Sequence, residues 1–322
     1  MTGRYLVALL AALAVAGLMP APAAGQSGSG ADVGRTSWGD PDLQGLWSYA
    51  TLTPLQRPAE VEQRQFFTEE EAAARNLRGR SDRPDRPGVD PGSYNAFWVD
   101  RGEVLQDRRT SQIVDPPDGR LPLNAEGQRR VDAKREHRRM HPADSWLDRP
   151  IWDRCITYHG VPPVGTSYNN TYHILQTPEF VAIQVENIHD VRVIPLTGRP
   201  HLDERIPQWN GDSRGYWDGD TLVVETRGYS AKSELRFPTT PNTRAVERFT
   251  RRGNVIDYEF TIEDPEIYTR PFTVNRPFQA VPEYVIYEYA CHEGNYALPN
   301  IMAGERAADA AAAAGSNKEH PA

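Results

Sequence analysis

The chain has 322 residues and a formal net charge of −8, with 36 Lys and Arg against 44 Asp and Glu. This length allows one large domain or two small ones. The acidic balance, and the lack of a basic cluster interleaved with aromatic residues, argue against a nucleic-acid-binding protein.

The N-terminal residues have the pattern of an export signal. Arg4 gives a positive start, residues 6–18 are almost entirely apolar, and small residues follow at 21–24. The apolar run is too short to cross a membrane core of about 30 Å. The sequence therefore predicts a signal peptide over residues 1–24, no integral membrane segment after its cleavage, and a periplasmic or secreted product.

A Gly- and Ser-rich stretch follows, and we predict a disordered linker over residues 25–42. Residues 43–49 are predicted to form a first strand. Thr68 and Glu71 form a capping-box pattern, which predicts a short helix from Glu69 to about Arg78. The next residues, 79–92, are rich in Arg, Asp, Pro and Gly and predict a loop.

Two more strands are predicted over residues 95–99 and 110–114. Asn124 is a favourable N-cap for a second, strongly charged helix that ends near Arg139. Residues 143–170 show no period, and we expect them to lie over one end of a sheet.

Residues 172–292 carry the strongest fold signal, a series of short segments in which apolar and polar residues alternate. Along residues 255–263, for example, Ile256 and Tyr258 begin an apolar face while Asp257 points to the other side. A period of two is typical of half-buried strands. The predicted strands here are 172–176, 180–186, 191–196, 215–217, 221–226, 245–250, 255–263, 273–278 and 285–292.

So many strands with almost no helix between them predict an antiparallel barrel, because closure removes the exposed sheet edges. The predicted fold class is mainly β, with about 8–10 strands and two or three peripheral helices. We expect a single barrel domain over residues 43–300, with its N-terminal segment wrapped around it. An Ala-rich helical tail is predicted over residues 301–322.

The two cysteines, Cys155 and Cys291, are both downstream of the signal. Two thiols in an oxidising compartment most often form a disulfide, which we predict. A Cys2His2 metal site with His159 and His292 is the alternative, but adjacent strand residues such as Cys291 and His292 point to opposite faces.

Four ionisable residues within residues 186–192 form the first candidate catalytic cluster. His189 is the predicted general base, and Glu186 or Asp190 would orient its ring. Arg192 would stabilise developing negative charge. The same four residues could instead form an ordinary turn network.

Three further residues are candidate acids: Glu247, Glu288 and His292. The two glutamates are predicted mid-strand, where they would either face water or line the barrel interior. A buried carboxyl group has a raised pKa, which suits a general acid near neutral pH. The sequence leaves open which strand face points inward.

Aromatic, amide and cationic side chains near predicted turns form the candidate ligand-binding set. They could hydrogen bond a polar ligand such as a sugar or phenol, or could simply stabilise turns. The set is Tyr168, Asn169, Asn170, Tyr172, Arg214, Trp217 and Tyr289.

Several longer motifs resemble an uncharacterised family of exported bacterial proteins. They include residues 109–119, the Gly211-Asp-Ser-Arg motif with residues 217–226, and the segment 287–296. This resemblance implies family membership and carries no assigned activity. Gly45-x-Trp47 and the run of strands are also similar to the lipocalin and calycin barrels, which implies a lipocalin-like barrel.

These features favour an exported enzyme that acts on a small organic molecule by acid-base chemistry, as a lyase, isomerase or hydrolase. The alternative is a non-catalytic, lipocalin-like small-molecule binding protein. An envelope protein that docks through its sheet face is a third class. We predict no cofactor, although His173, His189 and His292 could supply a metal site.

Overall fold

The computed structural model describes residues 34–80, 99–158, 161–163, 165, 168–233 and 235–316. They fall within one compact unit, Val33–Ala322. The predicted signal peptide, the start of the predicted linker, His159 and most of the predicted strand 95–99 lie outside them. Within the described residues, the last part of that linker, residues 34–42, forms a hydrogen-bonded turn.

Eleven strands of the described residues form one antiparallel sheet. Their bounds agree closely with the predicted strands at residues 171–263 and differ near the C-terminus. The strands are β1 (Gly45–Ser48), β2 (Ile113–Asp115), β3 (Thr171–Gln176), β4 (Phe180–Val185), β5 (Val191–Pro195), β6 (Asp212–Asp218), β7 (Thr221–Arg227), β8 (Arg244–Arg252), β9 (Val255–Glu263), β10 (Phe272–Asn275) and β11 (Phe278–Ala280).

Nine of these strands form a nearly closed barrel. Their hydrogen-bonded order is β5-β4-β3-β1-β11-β9-β8-β7-β6, with β2 and β10 off this path. Read around the barrel from β1, the strands therefore follow one another in chain order. The predicted fold class, a mainly β antiparallel barrel with peripheral helices, is confirmed.

The barrel closes between β5 and β6 through side chains. Arg192 of β5 donates from Nε to Ser213 Oγ of β6 at 2.9 Å. Gly215 of β6 approaches β5 so closely that an added Cβ would lie 2.9 Å from atoms of Ile194 and Leu196. Arg192 lies beside Ser213, and Ile194 lies beside Gly215, so residue numbers increase in the same direction along both strands. β5 and β6 are therefore parallel where they meet, and we call this contact the seam.

The strand alternation places a continuous set of aliphatic and aromatic side chains inside the barrel. Tyr258 stacks on Phe278 with ring centroids 4.5 Å apart and packs against Phe249 at 4.7 Å. Tyr172 packs against Tyr49 at 4.7 Å. All five side chains are buried. The middle of the barrel is thus filled by packed rings, whose burial is its main source of stability.

The predicted strand at residues 273–278 forms two strands, β10 and β11. β10 pairs with β2 and with the end of β9, whereas β11 pairs with β1 and the start of β9. Pro277 causes the interruption, because it has no N–H for the ladder. The wall therefore splits at Arg276-Pro277, and the segment that follows β1 hydrogen bonds to β2 through the Leu55 carbonyl oxygen.

The predicted strand 285–292 is wrong. Residues 281–291 are irregular, and Val285 and Tyr287 are 58% and 77% exposed. Both edges of β1 and both edges of β11 are already hydrogen-bonded to other strands, so this segment cannot pair with either of them. Glu288 consequently lies on an exposed coil and not within a strand.

Three helices lie outside the barrel: α1 (Glu69–Arg80), α2 (Ala125–Met140) and α3 (Ala297–Ser316). The capping box is present, since Glu71 N–H donates to Thr68 Oγ1 and Thr68 N–H donates to Glu71 Oε2. Asn124 caps α2 as predicted. Among the described helices, none has the length and apolarity needed to cross a membrane.

Candidate functional site

The polar residues inside the barrel gather toward one end, which we call the top end. It is the end at which β3, β5, β6 and β8 begin and β1, β4, β7 and β9 finish. Three places there could have a function: a buried cluster at the seam between β5 and β6, and two surface cavities.

The first is the seam cluster, formed by Arg192, Ser213, Thr226, Glu247 and Tyr258. Arg192 binds both carboxylate oxygens of Glu247, with Nη1 donating to Oε1 at 3.0 Å. Its Nη2 also donates to Thr226 Oγ1 at 2.9 Å, and the Tyr258 hydroxyl donates to Glu247 Oε1 at 2.8 Å. Glu247 is fully buried, so this predicted candidate faces inward.

The seam cluster is internally satisfied. Burial alone would lower the pKa of Arg192, but the Glu247 charge and its hydrogen bonds raise that pKa above its usual value. Burial, with the nearby Glu247 charge, also raises the pKa of Tyr258. Arg192 binds both Glu247 oxygens, and Tyr258 donates a further hydrogen bond to one of them. A buried pair of this kind is suited to holding β5 against β6 and β8.

The predicted cluster at residues 186–192 is dispersed. His189 is exposed, and its Nδ1 lies 3.0 Å from the Tyr289 carbonyl oxygen. Asp190 accepts hydrogen bonds from Thr157 and Asn210. Glu186 turns inward at the top end of β4. The proposed orienting carboxylates therefore bind other groups, and the catalytic roles stay predictions.

The Glu186 carboxyl group is buried at the end of β4. It is 3% exposed and accepts hydrogen bonds from the Tyr284 hydroxyl at 2.5 Å and from Thr171 N–H at 3.2 Å. Burial raises the pKa of Glu186, and the hydrogen bonds from Tyr284 and Thr171 only partly offset it. Burial likewise raises the pKa of Asp100 nearby.

We expect Glu186→Gln to be more stable than the wild type at pH 7.5, with the difference vanishing near pH 4. A carboxyl group with a raised folded-state pKa keeps its proton longer when folded, so stability falls as pH rises through that pKa. The glutamine amide does not titrate, so the variant does not lose stability as the pH rises. It can still hydrogen bond to Tyr284 and Thr171. Thermal unfolding across this pH range measures it, with exposed Glu288→Gln as the control; a difference independent of pH would contradict it.

The second place is a cavity of about 660 Å³ between the segment that follows β1 and Arg276, which we call the arginine cavity. Its floor is formed by Arg276 and Gln112, and Arg101 and Arg236 lie on its walls. The lining residues are Thr51, Leu52, Thr53, Pro54, Leu55, Gln56, Arg101, Gln112, Gly165, Arg236 and Arg276. None of the predicted site residues lines this cavity, and its only signal in the sequence is an Arg-Pro pair that interrupts an alternating strand.

The third place is a cavity of about 650 Å³ beside the disulfide, which we call the aromatic cavity. It brings together two residues of the predicted ligand-binding set, Tyr168 and Tyr289, with the candidate acid Glu288. Trp152 and Tyr158 also line it. The rings of Trp152 and Tyr158 lie 6.3 Å apart, tilted to each other.

The other predicted ligand-binding residues lie elsewhere. Asn170 donates from Nδ2 to the Asp100 carbonyl oxygen, and the Asn169 carbonyl accepts from Asn187. Tyr172 belongs to the packed interior. Two residues of β6 face opposite ways: Arg214 binds Asp212 near the surface, whereas Trp217 packs against the core.

A further cavity, of about 730 Å³, lies on the outer face of the sheet near His201. The His201 ring lies between two carboxylates, 3.0 Å from Asp212 and 3.2 Å from Glu225. Glu225 also binds Arg244 and Arg227, so this outward glutamate is fully occupied by surface partners.

The predicted disulfide is confirmed, with Cys155 bonded to Cys291. Its sulfurs cannot act as the thiolate ligands of the alternative Cys2His2 site. In the described part of the chain, no group of three or more His, Cys, Asp or Glu side chains is placed to hold a metal ion. His292 is exposed on the irregular C-terminal segment.

Comparisons with known proteins identify no family. No protein-family model matches the chain, and no curated protein sequence matches it. Two solved structures are similar over 34% of this chain and 70% of their own length, both with a TM-score of 0.22. One is a secretory abundant heat soluble (SAHS) protein from Ramazzottius varieornatus, 12% identical, and the other a mutant of the fluorescent protein UnaG, 10% identical. The fold class rests on this chain's own strand pairing.

Proposed function

We propose that this protein is a small-molecule binding protein that holds its ligand at the top end of the barrel. The packed interior supports a site at the end over one in the middle. The observation that carries the proposal is the arginine cavity, whose volume of about 660 Å³ lies in the range of ligand pockets and whose floor is buried and polar.

The arginine and aromatic cavities border each other. Arg236 lines the first cavity, and its guanidinium carbon lies 6.0 Å from the ring centroid of Trp152, which lines the second. A ligand with a polar end in the arginine cavity and an apolar or aromatic part extending toward Trp152 fits both. Aromatic walls with a few convergent polar groups are typical of such sites.

We expect a small molecule to co-purify with the protein and to be released on unfolding. Native mass spectrometry, followed by extraction and identification, measures this. Trp152→Ala should reduce the retained amount, whereas Tyr216→Ala, an exposed residue on the outer face of β6, should not. The proposal fails if nothing is retained and no compound from a library of phenolic, glycosidic and aromatic acids raises the melting temperature.

We also propose that the protein is exported to the periplasm or secreted. The N-terminal pattern motivates this, and the disulfide supports it because such bonds persist in oxidising compartments. Intact mass measurement after expression in an export-competent host tests it. A mature chain that begins near residue 25 is expected, and an uncleaved chain retained in the cytoplasm would contradict it.

An acid-base enzyme is the second candidate function. The buried Glu186 favours it, because a carboxyl group with a raised pKa that is hydrogen-bonded by Tyr284 could transfer a proton near neutral pH. Any compound that the protein binds should be tested for turnover as a lyase, isomerase or hydrolase substrate. Glu186→Gln and His189→Ala should each abolish that turnover, and unchanged rates in both would exclude these roles.

A further inference from the structure

Arg276 is held rigidly at the floor of the arginine cavity. Its backbone N–H donates to the Tyr258 carbonyl oxygen at 2.8 Å, at the break between β10 and β11. Its Nε donates to Gln112 Oε1 at 2.7 Å, and Nη2 donates to the same oxygen. Gln112 is itself fixed by donating from Nε2 to the Thr53 carbonyl oxygen. The guanidinium is therefore oriented before any ligand arrives.

Within the described residues, the Arg276 guanidinium forms no ion pair and bonds only the Gln112 side chain. The residue is 2% exposed, and its Nη1 has no hydrogen-bond partner among the described residues. Burial lowers the pKa of Arg276 to about 10, and the neighbouring charge of Arg236 acts in the same direction. A buried charge is stable only when it is paired and hydrogen-bonded.

The seam cluster provides an internal comparison. Arg192 is buried in the same barrel, and its guanidinium binds both oxygens of Glu247. Around Arg276 the arrangement differs: the described residues that line the arginine cavity include Arg101, Arg236 and Arg276 but no Asp or Glu. Only a neutral amide, from Gln112, bonds the guanidinium within the described residues.

We propose that the arginine cavity binds a small organic carboxylate, which accepts a hydrogen bond from Nη1 of Arg276 and extends its tail toward Trp152. This inference rests on the proposed function, because it assumes that the cavity holds a ligand. A carboxylate supplies the missing negative charge and planar acceptors for a guanidinium. A neutral amide of the same shape supplies an acceptor without the charge.

Gly165 lies directly beside the guanidinium of Arg276. A Cβ at residue 165 would lie 3.3 Å from Arg276 Nη1, tighter than ordinary contact. Gly165→Ala places a methyl group beside the nitrogen that the carboxylate would bind, without removing any charge. This variant should weaken carboxylate binding more than amide binding.

The test compares 3-phenylpropionate with 3-phenylpropanamide by isothermal titration calorimetry at pH 7.5. The wild type should bind the acid at least ten-fold more tightly than the amide, and Arg276→Gln should lose this preference. Arg248→Gln is the control, because it removes the same charge from the exposed face of β8 and should keep the preference. The melting temperature of each variant reports whether it folds.

Equal affinity of the wild type for acid and amide would overturn the carboxylate inference while leaving the proposed binding function intact. Unchanged acid binding in a folded Arg276→Gln would also overturn it. The wild-type comparison requires no variant, so misfolding of Arg276→Gln would not prevent a decision. Failure of the wild type to bind either probe at 10 mM would count against both the inference and the proposed function.

Discussion

Arg192→Ala should lower the free energy of unfolding by about 3–5 kcal/mol, the loss typical of removing one partner of a buried ion pair. The change removes the partner of the fully buried Glu247 and leaves that carboxylate uncompensated inside the barrel. It also removes the hydrogen bonds to Ser213 and Thr226 that join β5 to β6 and β7. Equilibrium urea unfolding measures the loss.

Arg248→Ala is the matched control for this loss. It breaks an ion pair with Asp218 on the outer face, where both side chains are about half exposed. Such pairs contribute about 0–1 kcal/mol. Similar losses in the Arg192 and Arg248 variants would show that the seam cluster does not hold the barrel closed.

Removal of the disulfide, by Cys155→Ala with Cys291→Ala, should cost about 2–5 kcal/mol. The bond joins residues 136 apart in sequence, and the chain-entropy model gives about 5 kcal/mol for such a loop. It also holds the irregular segment around Cys291 against the turn around Cys155, and thereby shapes the aromatic cavity. Urea unfolding with and without reductant measures the contribution.

The double variant provides its own control. Reductant should lower the unfolding midpoint of the wild type to that of the double variant and should leave the variant unchanged. Ligand affinity should fall in parallel, because Cys291 lines the aromatic cavity. Coincident unfolding curves for oxidised and reduced wild type would contradict this.

The barrel was predictable from sequence because burial imposes a period of two on each strand. Residues 255–263 alternate without a break, and β9 has these same bounds. Its neighbour β8 has the same alternation, with Ala245, Glu247 and Phe249 buried. The charge of Glu247 does not disturb the pattern, since the side chain is neutralised by a residue on another strand.

Two errors arise because local patterns do not report the neighbours of a strand. Residues 285–292 have suitable β propensity, but the positions beside β1 and β11 are already occupied, so the segment stays outside the ladder. Residues 273–278 alternate well, but Pro277 ends the hydrogen-bonding and divides them between two partners. Both outcomes depend on contacts far away in sequence.

The candidate site was only partly predictable for a similar reason. Glu247 and Arg192 were identified as ionisable residues within alternating strands, yet their pairing across 55 positions required the structure. Arg276 was missed because a single arginine next to a proline is usually a solvent-exposed turn residue. Arg276 is buried because the barrel wall splits between β10 and β11, and no local sequence pattern predicts this split.

A crystal structure of the protein with its best-binding carboxylate shows directly where the ligand lies. We expect ligand density in the arginine cavity, with a carboxylate oxygen about 3 Å from Arg276 Nη1 and the tail directed toward Trp152. A ligand bound instead at the outer cavity near His201, or a neutral group placed against Arg276, would contradict this expectation.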